Sequence, residues 1–259
     1  MTKYLDYGFK DRVAIVTGAG TGVGKACAVE LARGGAKVVL FGRRQGPIDE
    51  AVQECLEFTD NAIGMSVDVS AENVVKDSVS KVIEQFGKVD ILINNAGVES
   101  HLNPGQSFND LFEIQTPDEY LKFFEIHSLG HYLMNLAVMP SMKENMFGRI
   151  CNITSVVGLN GAYSSPAYTA SKAAANCQTK AFATQFGKYN VTVNAVLPGM
   201  VDTPMKKDST QEEFDFVASA TPLGRVADPI DIARVALFFV QENQFVSGQL
   251  LVASGASYV

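Results

Sequence analysis

The stretch RVAIVTGAGTGVGKA, residues 12–26, leaves a chain few ways to fold. Residues 12–17 form a short β-branched run without polar alternation, the pattern of a strand buried on both faces of a parallel sheet. Gly18, Gly20, Gly22 and Gly24 follow at once, before a helical segment running to about Arg33. Strand, glycine turn and helix in that order make the phosphate-binding opening of a dinucleotide fold. The missing side chains let the backbone approach a pyrophosphate held at the helix N-terminus. The spacing departs from G-x-G-x-x-G, because the third glycine of that pattern falls on Val23 or Cys27. What is present is Thr-Gly-x-x-x-Gly-x-Gly, with Gly18, Gly22 and Gly24.

The opening unit then repeats its alternation. Strand-like AKVVLFG (36–42), NAIGMSV (61–67), VDILIN (89–94), GRICNIT (148–154), VTVNAVLPG (191–199) and SGQLLVAS (247–254) are separated by helical stretches near 47–58, 72–86, 120–142, 168–187 and 228–240. This predicts an α/β protein: a doubly wound Rossmann fold with a seven-stranded parallel sheet and helices on both faces. With 259 residues, no linker and no internal repeat, residues 1–259 read as a single dinucleotide-binding and catalytic domain, preceded by a polar and aromatic arm at 1–11. In that arm Tyr4, Leu5, Tyr7 and Phe9 are set to pack on the body or on a neighbouring subunit. The stretch 98–119 is long for a connection. Its Phe108, Leu111, Phe112 and Ile114 either line an apolar substrate pocket or only anchor the loop. Residues 200–222, with Met205, Phe214, Phe216 and Val217, read as a short amphipathic lid on the substrate side.

The ends of the strands carry the candidate cofactor contacts. The second strand ends in Gly42-Arg43-Arg44, with no carboxylate there. A free ribose 2′-hydroxyl is met by Asp or Glu at this place, whereas a 2′-phosphate needs cationic donors, so NADP(H) is favoured and NAD(H) possible. Arg43 or Arg44 stacking on adenine or merely solvated is the competing explanation. Asp68-Val69 closes the third strand, where the acid either meets adenine's amine or caps the helix that begins near Ala71.

Ser155, Tyr168 and Lys172 are the candidate catalytic set. Tyr168 and Lys172, four residues apart, project from one helix face. Ser165 as N-cap and Pro166 as first helical residue place Tyr168 in the first turn. There the positive helix end and the neighbouring ammonium are expected to lower the phenol's pKa from its usual value of about 10, making it a usable acid/base. A half-buried Tyr beside a solvated Lys is the bland alternative, and the pair alone does not exclude it.

Four signatures in order decide the matter: Thr17-Gly-x-x-x-Gly-x-Gly24, Asn94-Asn-Ala-Gly97, Ser155 thirteen residues before the Tyr168-x-x-x-Lys172 pair, and Pro198-Gly199 leading to Thr203. Over nearly its whole length the chain resembles the short-chain dehydrogenase/reductase family. The resemblance implies that Tyr168 exchanges a proton with the substrate oxygen, that Ser155 hydrogen-bonds that oxygen, and that Lys172 depresses the tyrosine pKa and holds the nicotinamide ribose. It likewise implies that Gly18, Gly22 and Val23 approach the pyrophosphate, that Asp68 and Val69 meet adenine, that Asn95 lies along the adenosine ribose, and that Val201 and Thr203 hold the carboxamide. Homo-oligomerisation, as dimer or tetramer, through the helices at 120–142 and 168–187 is implied too.

One position departs from the family. Where relatives carry an Asn that helps hold a water in the proton relay from the lysine, this chain has His127. Either the imidazole carries or redirects the relay, or it fills the space and hydrogen-bonds the kinked backbone. His127 and His131 have a zinc-like i,i+4 spacing, but no third ligand is in view and no metal is expected.

The expected reaction is interconversion of a secondary alcohol and a ketone by hydride transfer. Leu159, Tyr163, Met200, Met205 and the Phe214/Phe216 lid suggest a bulky, lipophilic substrate such as a hydroxysteroid. A 3-oxoacyl thioester reductase and a catalytically silent cofactor-binding sensor are the alternatives. A net charge of -7 argues against nucleic acid as partner. No run of eighteen or more apolar residues and no signal-like N-terminus appear, so a cytoplasmic protein without membrane partners is expected. The four cysteines are widely spaced and read as reduced, small apolar residues.

Overall fold

The computed structural model describes residues 8–99, 116–161, 164–206, 209–242 and 245–258. Phe108, Leu111, Phe112 and Ile114 of the long connection, Tyr163, and Tyr4, Leu5 and Tyr7 of the arm lie outside the described residues. Phe9 packs into the core.

Seven strands form one parallel sheet: β1 (Val13–Thr17), β2 (Lys37–Gly42), β3 (Ala62–Ser66), β4 (Ile91–Asn94), β5 (Gly148–Ile153), β6 (Val191–Pro198) and β7 (Leu250–Ala253). Their order is β3-β2-β1-β4-β5-β6-β7. The chain winds outward from β1 to β3, then returns to place β4 against the other side of β1. That reversal opens a crevice at the carboxyl ends of β1 and β4, where doubly wound sheets bind ligands.

Residues alternating along β1 feed two cores. Ala14 and Val16 pack with α1 (Gly22–Arg33), α2 (Gln45–Leu56) and α9 (Pro229–Phe239). Val13 and Ile15 pack on the opposite face with α3 (Glu72–Phe86), α5 (Gly130–Glu144) and α7 (Pro166–Phe186). All five residues of β1 are buried because both faces are covered, which is why the run lacks polar alternation. β4 starts later than its hydrophobic run suggests, since Asp90 is diverted to accept the Val13 N–H and to pair with Arg12 and Lys88.

The stretch expected as one helix over 120–142 is two. Helix α4 (Pro117–Phe124) starts at a Thr116/Glu119 capping box, and a π turn at Glu125–Leu129 joins it to α5. Gly130 follows the π turn, and a Cβ there would lie 2.8 Å from Val69 Cγ2, so glycine lets the β3–α3 loop come close. The 200–222 segment folds as a 3-10 turn at Pro204–Lys206 and a helix, α8 (Gln211–Ala220), that buries none of its residues.

Candidate active site

Each nominated group follows the carboxyl end of a strand. The glycine turn leaves β1, Arg43 and Arg44 leave β2, Asp68 and Val69 leave β3, Asn95 leaves β4, Ser155 leaves β5, and Val201 and Thr203 leave β6. A parallel sheet with these crossovers brings the six groups to one edge.

A short helix, α6 (Val157–Asn160), follows Ser155, and α7 then begins as its sequence suggests: Ser165 Oγ accepts the Tyr168 N–H at 3.2 Å, with Pro166 in the first turn. The half-buried Tyr168 phenol hydrogen-bonds Ser155. One turn on, the buried Lys172 lies with Nζ 5.6 Å from the Tyr168 ring centre and donates to the Ile153 carbonyl at 3.2 Å. The electrostatics reverse the expectation for Tyr168. Burial, reinforced by the Glu99 charge, pushes its phenol above the ordinary 10.0, and the Ser155 hydrogen bond only partly offsets this. Lys172 is the group whose pKa falls, to about 8, because burial disfavours the ammonium. A phenol in this setting is held protonated and ready to donate.

His127 sits inside the π turn, fully buried. Its Nε2 accepts the Val98 N–H at 2.9 Å, so that nitrogen is bare. Nδ1 therefore carries the proton and donates to Ser171 Oγ at 2.9 Å, and Ser171 donates in turn to the Tyr168 carbonyl at 2.8 Å. Burial, with Lys172 nearby, holds His127 well below 6.5. Its ring meets Tyr168 edge-on at 5.2 Å. The imidazole thus ties the loop after β4 to the helix that carries Tyr168, with both ring nitrogens spent on protein.

The glycine turn has the shape of a phosphate cradle. Gly18 (φ +62) and Gly22 (φ +57) hold left-handed conformations that favour glycine. A Cβ on Gly18 would lie 2.9 Å from Asn95 Nδ2, and one on Gly22 3.0 Å from Thr203 Cγ2. Gly24 packs its bare Cα against the Gly18 carbonyl, where a Cβ would come within 2.3 Å. The Thr21 side chain does not cap α1, which leaves the first helix amides open to an anion. Val23 is buried in the core and offers the turn only its backbone. Asn95 donates to the carbonyls of Thr17 (3.1 Å) and Gly18 (3.2 Å), so its side chain fastens the loop after β4 to the glycine turn.

Arg43 and Arg44 are exposed at the end of β2. Asp68 Oδ1 accepts from Ser70 N–H and Oγ–H, which chiefly lowers its pKa, with Arg43 adding to the effect. Its carboxylate thus shapes the turn into α3 rather than capping the helix itself, whose N-cap is Ala71. Val201 bridges to Ala227 and packs on the core.

Sequence reading missed three features. Ser171 links His127 to Tyr168, and its place three residues after Tyr168 on the same helix face was the available signal. Glu99 pairs with Lys206, joining the two substrate-side segments near Tyr168, and a separation of 107 residues leaves no local signal. The third is a set of buried amides and a second imidazole, His131, behind Lys172.

Comparisons with known proteins show the family and the fold. The family model described as short chain dehydrogenase matches residues 12–213. The chain is 33% identical over 249 residues to the (2S)-[(R)-hydroxy(phenyl)methyl]succinyl-CoA dehydrogenase subunit BbsD of Thauera aromatica, covering 96% of this chain and 97% of that protein. It is 34% identical over 251 residues to a 3alpha-hydroxysteroid dehydrogenase of Mediterraneibacter gnavus, with 96% and 97% covered. The crystal structure of levodione reductase superposes with a TM-score of 0.88 at 30% identity, over 96% of this chain and 98% of that one.

Proposed function

Because the chain belongs to the short chain dehydrogenase family, and so is an oxidoreductase acting on an alcohol/ketone pair, we propose that it prefers NADP(H) and acts on a bulky, lipophilic substrate such as a hydroxysteroid. The observation that carries the mechanism is the meeting of Ser155, Tyr168 and Lys172 at the crevice, with Tyr168 in the first turn of α7 and bonded to Ser155. Ser155 and Tyr168 both hydrogen-bond the substrate oxygen. In ketone reduction Tyr168 gives its proton to that oxygen, and in alcohol oxidation it takes one. The buried Lys172 ammonium, one turn along, stabilises the phenolate left behind.

The glycine turn fits a nicotinamide dinucleotide, since Gly18 and Gly22 hold left-handed conformations and no side chain caps the first amides of α1. Gly18, Gly22 and the Val23 amide would hold the pyrophosphate, Asp68 and Val69 the adenine, Asn95 the adenosine ribose, Lys172 the nicotinamide ribose, and Val201 and Thr203 the carboxamide. When bound, the nicotinamide supplies or accepts the hydride at C4. Arg43 and Arg44, exposed and without a carboxylate at the strand end, are placed for a 2′-phosphate.

The lipophilic reading rests on apolar side chains left exposed in the segments that follow the carboxyl ends of β5 and β6. Leu159 and Met205 are each 43% exposed, Phe216 69% and Leu223 70%. Likeness to a 3alpha-hydroxysteroid dehydrogenase supports it. Likeness to the (2S)-[(R)-hydroxy(phenyl)methyl]succinyl-CoA dehydrogenase subunit favours a second reading, an acyl thioester substrate. Exposed Leu129, Tyr132 and Leu136, on α5 and the preceding turn, support self-association through this face.

The test follows absorbance at 340 nm with NADPH and NADH against ketosteroids, 3-oxoacyl thioesters and keto-sugars. Turnover of ketosteroids with NADPH is expected. Turnover confined to thioesters transfers the assignment to the second reading, and tight cofactor binding without any turnover points to a sensor. Tyr168→Phe should lose roughly 10²–10⁴-fold in kcat while still binding NADPH. Arg43→Glu should weaken NADPH at least about tenfold and leave NADH nearly unchanged.

A further inference from the structure

Charged side chains are scarce on the substrate side. In the described residues that leave β4, β5 and β6 (95–99, 154–161 and 199–206) they are Glu99, Asp202 and Lys206. Asp202 is exposed, with its N–H held by the Ala227 carbonyl at 2.9 Å. Glu99 and Lys206 are partly covered, each side chain 23% exposed, and they form an ion pair with each other.

Both ends of the pair are fixed close to the reacting groups. Glu99 follows Val98, whose N–H donates to His127 Nε2, and the His127 ring centre stands 5.2 Å from that of Tyr168. The Glu99 charge is felt at the phenol, where it adds to the effect of burial. Lys206 closes the 3-10 turn after Thr203 and donates its N–H to the Thr203 carbonyl at 2.8 Å. Thr203 in turn faces the glycine turn, its Cγ2 3.0 Å from where a Gly22 Cβ would stand. The pair therefore spans the crevice from the Tyr168 side to the glycine turn.

An ion pair so placed does little for stability, because partly exposed charges gain little over their hydration and two long side chains must be ordered to join them. Its effect is on what comes near. Unpaired, Glu99 would repel a carboxylate approaching the phenol, and Lys206 would attract one. Paired, the two cancel for a neutral molecule. An anion that would use Lys206 must first strip it from Glu99 and leave that carboxylate without its partner.

We propose that Glu99 and Lys206 set the charge of the accepted substrate, admitting ketones and alcohols with no charge near the reacting carbon and turning away free oxo acids. The inference rests on Tyr168 being the group that meets the substrate oxygen. A ketosteroid and a 3-oxoacyl thioester both pass, because the ring system is neutral and the thioester masks the carboxylate. The corresponding free oxo acid does not. Glu99 and Lys206 act on specificity and take no part in proton or hydride transfer.

The test compares phenylglyoxylate with its ethyl ester, which differ in charge at the group beside the ketone, and reads the ratio of kcat/KM for ester to acid with NADPH. Intrinsic reactivity is common to every variant, so a change in the ratio reports the protein. Wild type should favour the ester. Glu99→Gln frees Lys206 to bind the carboxylate and should lower the ratio at least about tenfold. Lys206→Met leaves Glu99 unpaired and should raise it. A strap that only held the two segments together would slow both substrates alike. Equal ratios in all three proteins, or shifts in the same direction for both variants, therefore refute the proposal. A second arm needs no turnover: calorimetric affinity for benzoate relative to benzamide should rise in Glu99→Gln and fall in Lys206→Met. Absence of turnover in the wild type counts against the proposed function alone, and the binding arm then decides. A benzoate preference that stays the same in all three proteins overturns the charge filter.

Discussion

Acid should undo this fold through its buried imidazoles, and His127→Asn should remove about half of the effect. His127 lies well below its ordinary 6.5, chiefly by burial, and His131 is lowered to about 3 by burial with Lys172 nearby. A folded-state pKa below the unfolded one means stability that is complete above pH 6.5 and lost as pH falls toward the folded value, because the unfolded chain takes up protons that the native state refuses. For His131 the window runs from 6.5 down to about 3. Within it each imidazole costs about 1.4 kcal/mol per pH unit, and the two together about 2.7. For His131, from pH 6 to pH 4 that comes to about 2–3 kcal/mol, a sizeable share of the stability of a marginal domain, and His127 adds to it in the same direction. Asp68, Glu119 and Asp231 are lowered from 3.8–4.5, so their windows open mainly below pH 5, under the span of the assay. The assay is urea unfolding at intervals between pH 6.5 and 5, reading the slope of stability against pH after confirming an unchanged m value. His127→Asn lowers the overall level, since a shorter side chain cannot reach both Val98 and Ser171, but its slope should be about half the wild-type slope. Parallel lines for wild type and variant would refute the claim that His127 is held neutral.

Two other outcomes follow from the site. The pH profile of kcat/KM for ketone reduction should bend down near 8 as Lys172 loses its proton, and in Lys172→Arg that bend should move out of the accessible range, whatever activity remains. Gly24→Ala should destabilise by roughly 1–3 kcal/mol and weaken NADPH binding, because its Cβ would meet the Gly18 carbonyl at 2.3 Å and Asn95 Nδ2 at 2.5 Å; thermal unfolding and a cofactor titration read both.

Much of this was legible because it is local. Val13–Thr17 reads as a doubly buried strand from side-chain type alone, and Gly18, Gly22 and Gly24 sit where backbone geometry requires glycine. Ser165 and Pro166 announce the start of α7, which fixes where Tyr168 stands. The strand ends that carry Arg43, Asp68, Asn95, Ser155 and Thr203 are separate in the chain, yet seven alternating strands imply a parallel sheet that collects them.

Tertiary packing decided the electrostatics and the partners. A Tyr-x-x-x-Lys pair predicts a lowered phenol, but burial and the Glu99 charge raise Tyr168, and Lys172 yields instead. No periodicity reveals that Glu99 meets Lys206, since the pair closes only when two distant loops cover one edge. His127 was recognisable as a departure from its family. Only the π turn, the Val98 amide and the Ser171 hydroxyl show that its nitrogens are spent, while those of His131 are not. Backbone conformation follows from neighbours in the chain, so the sequence by itself determined the strands, the glycine turn and the helix that carries Tyr168. The protonation of a buried group depends on what long-range packing sets against it, and that only the folded structure supplied.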